Sequence, residues 1–246
     1  MNNINPQIAV DARMPMLAAD RFTAGYAPRE PVLRDVSFTI RTGERVALLG
    51  ANGSGKTTLL LAVVGVLLPA SGEMRVGGAT VGAENLAAVR QKAGLLLQNP
   101  DDQLFMPTVA EDVAFGPRNY RLPEDEIARR VAATLARLNI APLSGRITGK
   151  LSGGEKRLVE LAGVLVLSPE ILLLDEPATF LDPRSRRNLI EILQTLPQTL
   201  LMATHDFALA QAVCERALVL KDGQVFADDK IEKILGDAAG LRAAGL

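Results

Sequence analysis

Short apolar runs separated by amphipathic stretches pattern the second half of the chain. Ile171-Leu172-Leu173-Leu174-Asp175, Thr199 to Ala203 and Ala217 to Leu220 read as strands, with helices predicted from Arg184 to Leu196 and from Asp206 to Cys214 between them. Apolar strands alternating with helices predict a parallel sheet with helices on its faces. The first third reads differently. Two strand-like segments lie between Leu17 and Ile40, the clearer one being the alternation Val36-Ser37-Phe38-Thr39-Ile40. Arg41-Thr42-Gly43-Glu44 then turns the chain into a buried strand, Val46-Ala47-Leu48-Leu49. A helix-like run from Leu59 to Val64 ends near Pro69, followed by a strand and turn over Gly72 to Gly78 and a short helix from Glu84 to Gln91. Ala93 to Leu97 is predicted to be a buried strand ending at Gln98.

Between these two regions the pattern becomes helical. Asn99 to Pro107 reads as a loop, and Thr108 with Glu111 forms a capping-box spacing for a helix through Phe115. Pro123 opens a helix from Glu124 to Leu138 with acids in its first turn, and Leu151-Ser152-Gly153-Gly154-Glu155 starts another long helix. The expected organisation is an α/β core with a β subdomain over residues 15–97 and 169–235, and an α-helical subdomain inserted at 98–168. A loose polar leader is expected over 1–14, a hairpin turn at Lys221-Asp222-Gly223-Gln224, and a helix with a frayed Ala/Gly tail at the end, the tail over 236–246.

Composition narrows the function. With 48% apolar residues in 246, the chain can build a substantial core, and a net charge of −1 without a basic stripe offers nothing to nucleic acid. One cysteine, Cys214, permits no disulfide within the chain, and one histidine with one cysteine cannot assemble a soft-metal cluster. Cys214 is expected to be a packed apolar residue. The start of the chain lacks a charged segment followed by an apolar one, and no apolar run approaches a membrane span. A cytoplasmic location follows, unless a partner brings the chain to a membrane.

The chemistry begins at Gly50-Ala51-Asn52-Gly53-Ser54-Gly55-Lys56-Thr57-Thr58, between the buried strand and the following helix. Glycines there let backbone N–H groups approach an anion, and the helix aims its free N–H groups and positive dipole end at the same point. Lys56 can then reach the β- and γ-phosphates, and the Thr57 hydroxyl can hold Mg²⁺. Asp175 and Glu176 end an apolar strand, where a carboxylate lies beside the ligand crevice of an open α/β sheet. Asp175 suits Mg²⁺, and Glu176 suits orienting or deprotonating a water. Two glycines after Ser152 weaken a helix start and make sense where the backbone must come close to an anion. Tyr26, beside Gly25, could stack on a nucleobase or simply pack.

The order of these elements, Gly50 to Thr58, Leu151 to Glu155, Asp175-Glu176, Leu181-Asp182 and His205, resembles the ABC ATPases from about residue 16 to 235. The Ser-Gly-Gly element is the most specific part of that resemblance. It implies a P-loop nucleotide-binding domain that hydrolyses ATP with Mg²⁺ in a facing pair, as a homodimer or with a related ATPase chain. Each ATP is then held between Gly50 to Thr58 of one copy, with Asn52, Gly53, Ser54, Gly55, Lys56 and Thr57, and Ser152, Gly153, Gly154 and Glu155 of the other. The resemblance further implies that Gln98 contacts Mg²⁺ and the water, that His205 contacts the γ-phosphate and that Tyr26 stacks on the base. One departure stands out: Phe180 occupies a position where the class usually has a small residue.

The stretch from Gln98 to Phe105, continued by Thr108 to Pro117, is similar to the ATPases of energy-coupling-factor importers, most closely the cobalt and nickel type. That branch implies a peripheral ATPase on the cytoplasmic face of the membrane, docked on a transmembrane coupling protein that carries a separate substrate-binding membrane subunit. Asp101, Asp102, Glu111 and Asp112 are expected to be exposed acids able to meet arginines of the coupling protein, or a solvated acidic face. Little chain follows residue 235 for the extra C-terminal domain of some vitamin-type members, which favours the metal-ion branch. A vitamin importer, a soluble ATPase acting on DNA or the ribosome, and a regulatory module that does not hydrolyse ATP are the alternatives.

Overall fold

A computed structural model describes residues 15–27 and 30–246, so the expected leader lies outside the described residues. Strand β1 (Pro15–Ala24) pairs antiparallel with β2 (Leu33–Arg41), Ala18 opposite Thr39 and Phe22 opposite Val36. The alternation read in the sequence turns Val36, Phe38 and Ile40 inward. The chain next forms the buried strand β3 (Arg45–Leu49), the phosphate-loop segment and helix α1 (Lys56–Val63). It returns through β4 (Ser71–Val76) and β5 (Ala79–Thr80), which complete a four-stranded sheet in the order β2-β1-β4-β5.

Helix α2 (Leu86–Lys92) leads into β6 (Ala93–Leu96), and the helical region follows with α3 (Val109–Asn119), α4 (Glu124–Arg137) and α5 (Gly153–Leu165). The alternation then resumes: β7 (Ile171–Asp175), α6 (Pro183–Thr195), β8 (Thr199–Ala203), α7 (Phe207–Val213) and β9 (Arg216–Lys221). A hairpin adds β10 (Gln224–Lys230), followed by α8 (Ile231–Gly236) and α9 (Ala238–Ala243). The second sheet has the order β10-β9-β3-β8-β7-β6; only the β9 and β10 pair is antiparallel.

Burial on both faces explains the unbroken apolar runs. In β3, β7, β8 and β9 the residues Leu49, Leu172, Met202 and Val219 point to a core shared with α5, α6 and α7. Their neighbours Leu48, Leu173, Leu201 and Leu218 point to a second core beneath α1 and the antiparallel sheet. Each such leucine removed from water contributes roughly 1.5–3 kcal/mol, which a strand with one wet face obtains only at every other position.

Four expectations are corrected. β6 is the edge strand with β7 on one side only, so Gly94 and Leu95 are half-buried rather than buried. Helix α3 does not stop at Phe115; it runs through Pro117 to Asn119, because burying Val113, Ala114 and Pro117 offsets the hydrogen bond that proline cannot make. The hairpin strand extends beyond Ala227 to Lys230. The end of the chain is not frayed: Asp237 caps α9 by accepting from Gly240 N at 2.9 Å, and Ala244 is buried.

Candidate functional site

Strands β3, β8, β7 and β6 are consecutive neighbours in the sheet, and the parallel pairing brings their C-terminal ends to one edge. Each end releases one candidate segment. Asn52, Gly53, Gly55, Lys56, Thr57 and Thr58 after β3, His205 after β8, Asp175 and Glu176 at the end of β7, and Gln98 after β6 all line one cleft of about 450 Å³, with Val32. A crevice at the carboxyl ends of the strands is where open α/β sheets bind ligands.

The loop geometry is set by glycine. Gly55 stands at φ +105° ahead of α1, and no side chain caps that helix, so its first N–H groups face the cleft as anion donors. At Gly50 a Cβ would lie 2.5 Å from both Leu220 O and Ser54 Oγ, so any larger residue would push the loop off β9. Ser54 is buried and its Oγ has no hydrogen-bond partner. Lys56 Nζ donates to Gly50 O at 2.7 Å and Ala51 O at 3.1 Å, which holds the ammonium across the mouth of the loop. Burial lowers its pKa, against the opposing pull of Glu176 and Asp175.

The acidic side of the cleft is equally ordered. Thr57 Oγ1 donates to Asp175 Oδ2 at 2.7 Å. Burial raises the Asp175 pKa; the Thr57 hydrogen bond opposes this and the Glu176 charge adds to it. A hydroxyl and a desolvated carboxylate are hard oxygen donors, and a divalent cation beside them would relieve the cost of burying that charge, so the residues fit Mg²⁺. Glu176 sits at φ +45°, a strained conformation for a non-glycine residue, and its N–H donates to Ala203 O at 2.9 Å. Its carboxylate accepts from Thr204 Oγ1 at 3.1 Å and lies 2.7 Å from His205 Nδ1. The His205 side chain is 67% exposed and so is no core residue, and Asp206, not His205, caps the following helix.

Not every candidate enters this cleft. Ser152, Gly153, Gly154 and Glu155 lie outside it: Ser152 caps α5, with Ser152 N donating to Glu155 Oε2 at 2.8 Å, and Gly153 faces a separate groove beside Phe180. Gly154 has a packing reason, since a Cβ there would meet Ser185 Oγ at 2.4 Å, whereas Gly153 has none nearer than Phe180 O at 3.9 Å. Tyr26 is exposed and also outside the lining; its hydroxyl is 3.5 Å from Thr58 Oγ1. Of the four acids expected on the surface, Asp112 is buried and accepts from Phe105 N and Met106 N, and Glu111 closes the Thr108 capping box. Asp101 and Asp102 are exposed.

Sequence reasoning missed Thr204, which holds Glu176, and the pair Arg157 and Glu160, which holds the backbone at Gln98. The second was legible in principle, as two charges three residues apart on a face of α5 that is otherwise apolar.

Residues 33–179 match the ABC transporter family. The chain belongs to the ABC transporter family. It is 44% identical to the energy-coupling factor transporter ATP-binding protein EcfA of Methanothermobacter thermautotrophicus, across 90% of this chain and 73% of that one. It is 43% identical to the cobalt import ATP-binding protein CbiO of Rhodobacter capsulatus, across 94% of this chain and 85% of that one. The structure of cbiO1 from Clostridium perfringens, part of the ABC transporter complex cbiONQ, superposes with a TM-score of 0.82 at 34% identity, covering 93% and 94% of the two chains. As an ABC transporter ATP-binding chain, the protein is an ATPase, and its relatives place it in the energy-coupling-factor and cobalt-import branch. Among the described residues, no helix is long and apolar enough to cross a membrane.

Proposed function

We propose that the chain is the ATP-binding subunit of an energy-coupling-factor importer that takes up a transition-metal ion, cobalt first and nickel next. It would act as a peripheral ATPase, paired with a second copy or a related chain on the cytoplasmic face of a membrane. The observation that carries the pairing is the separation of Ser152, Gly153 and Gly154 from the chain's own phosphate cleft. Gly153, unobstructed and exposed at the start of a helix, would offer its backbone to an anion on another molecule.

Within one cleft, Gly50 to Thr58 would bind the triphosphate of ATP, Lys56 countering its β- and γ-oxygens, and Tyr26 or Val32 would border the base. Thr57, Asp175 and Gln98 would hold Mg²⁺, whose charge offsets that of the phosphates. Glu176 would orient and deprotonate the attacking water, and its two anchors, Thr204 and His205, keep the carboxylate from drifting out of line. His205 would meet the γ-phosphate. Replacing Glu176 with glutamine keeps the size of the side chain and one acceptor oxygen but removes the base. The E176Q chain is expected to bind ATP normally, to turn over at least ~10²-fold more slowly, and to accumulate as an ATP-bound dimer on sedimentation. Wild-type turnover in E176Q would remove Glu176 from the mechanism.

The membrane partner would dock on the helical region, which we propose spans 98–168 beside a core of 15–97 and 169–235, the tail being 236–246. Phe105 and Phe115 are exposed and meet edge to face with centroids 4.6 Å apart, and the exposed Asp101 and Asp102 shortly precede Phe105 in the chain. An exposed aromatic pair with exposed acids in the same helical region suits a helix bearing apolar and arginine side chains. Co-purification from membranes identifies the coupling and substrate-binding subunits, and uptake of radiolabelled cobalt against nickel tests the cargo. Vitamin-dependent stimulation with neither metal transported would instead support the vitamin-importing alternative.

A further inference from the structure

Gln98 leaves β6 on an exposed turn, yet the backbone that carries it is held from the side by α5. The Arg157 guanidinium is fully buried. Its Nη2 donates to Gln98 O at 2.6 Å, and its Nη1 donates to Leu97 O and to Glu160 Oε2, each at 2.7 Å. Glu160 is buried as well, and its Oε1 accepts from Leu97 N at 3.1 Å. Gln103 Oε1 shares that N–H at 3.1 Å while Gln103 Nε2 donates to Leu95 O. The strand and the helix are pressed together below this point, where a Cβ on Gly94 would lie 2.3 Å from Val164 Cγ1.

An ion pair serving α5 alone would need only the contact between Arg157 and Glu160. Here most of the pair's hydrogen bonds go to the backbone of residues 97 and 98, and Arg157 Nε is left without a partner to achieve it. A planar fork with fixed donor directions places two carbonyls more tightly than any single hydrogen bond. The outer pair of Lys156 and Asp101, at 2.5 Å, adds little because Asp101 is solvated.

We propose that Arg157 and Glu160 are positioning residues for Gln98, locking its turn to the helix whose first residues follow Ser152, so that Gln98 moves in its own cleft as that helix end moves. The proposal rests on the reading of Gln98 as a contact of Mg²⁺ and water. Ser152 to Gly154 sit within two turns of Arg157 on the same rigid helix, so whatever that end touches is felt at Gln98.

The test replaces the pair by apolar residues of similar size, Arg157→Met with Glu160→Leu, an exchange that keeps the packing and releases the backbone groups of residues 97 and 98 that the pair holds. In the full chain, amide exchange of the segment 97–103 is expected to rise on the order of tenfold while α1 and β7 keep wild-type rates. ATP turnover is expected to fall about tenfold with KM for ATP within about twofold, as positioning for the reacting state requires. Added to Gln98→Ala, the double substitution should cost no further turnover, because residues acting through one group are not additive. Wild-type exchange at 97–103, or losses that multiply with Gln98→Ala, overturns the proposal. If Gln98→Ala by itself leaves turnover intact, the assignment of Gln98 fails, and the exchange measurement still decides the clamp. Should the double variant not fold, Arg157→Lys decides: it keeps the charge but not the fork, and unchanged exchange at 97–103 would sink the idea.

Discussion

Thr204 ties the carboxylate proposed as the base to the start of the next helix. It is buried, its Oγ1 donates to Glu176 Oε2 at 3.1 Å, and the same oxygen accepts from Asp206 N at 3.0 Å. Thr204→Val keeps the shape and strands both partners. Leaving polar groups unmatched in a buried place costs about 1–3 kcal/mol, so urea unfolding should show a loss of that size. Turnover should fall while ATP affinity holds, because the carboxylate loses an anchor and the phosphate loop loses nothing; an unchanged turnover would make Thr204 purely structural. No pattern in the sequence points to Thr204, since its partner lies 28 residues away and meets it only through the pairing of β7 and β8. Lys56, Thr57, Asp175 and Glu176 were legible because their chemistry is bound to local spacing. Asp112 misled for the opposite reason: a carboxylate one position past Glu111 reads as another solvated acid, and only the folding back of Phe105 and Met106 supplies the N–H groups that allow its burial.

Two helices carry the same N-terminal device, which permits a controlled comparison. Thr108 caps α3 through Glu111 N at 3.4 Å, and Ser152 caps α5 through Glu155 N at 3.4 Å, each with the reciprocal glutamate bond. Alanine at either cap should cost ~1 kcal/mol in unfolding free energy. Only Ser152→Ala should also lower ATP turnover, if that helix end closes on another copy's nucleotide; equal turnover in both variants would leave Ser152 a cap and nothing more. At this scale the sequence was most readable where a strand is buried on both faces, as in β7 and β8, whose bounds follow the apolar runs. It was least readable where neighbours decide. An edge position half-exposes β6, core packing carries α3 past Pro117, and a single aspartate orders the terminal helix. Each depends on what lies across the fold rather than along the chain.

For the molecule as a whole, the buried pair on α5 links its stability to pH. Burial lifts the Glu160 carboxyl from an ordinary 4.5 to about 7, against the pull of Arg157 and the Leu97 N–H, with the Asp102 charge adding to the rise. Gln103 also lines that surface, through the N–H it shares, and Asp175 is the other carboxylate that Arg157 feels. A carboxyl whose folded pKa lies above its unfolded one holds a proton that the unfolded chain has released. Its stabilising contribution is therefore complete below about pH 4.5 and is lost as pH rises through about 7, on the order of 3 kcal/mol across the window. Half-buried carboxylates with lowered pKa values, such as Glu73, Glu126 and Glu155, act in the opposite sense at more acidic pH, so the net profile mixes both. Glu160→Gln removes the one titration and isolates it. The difference in unfolding free energy between wild type and E160Q, followed by denaturant titration from pH 5 to 8, should move steadily in favour of the variant as pH rises. A difference that stays flat would mean that Glu160 remains ionised throughout. In that case the Arg157 fork and the Leu97 N–H together would outweigh the cost of burying its charge.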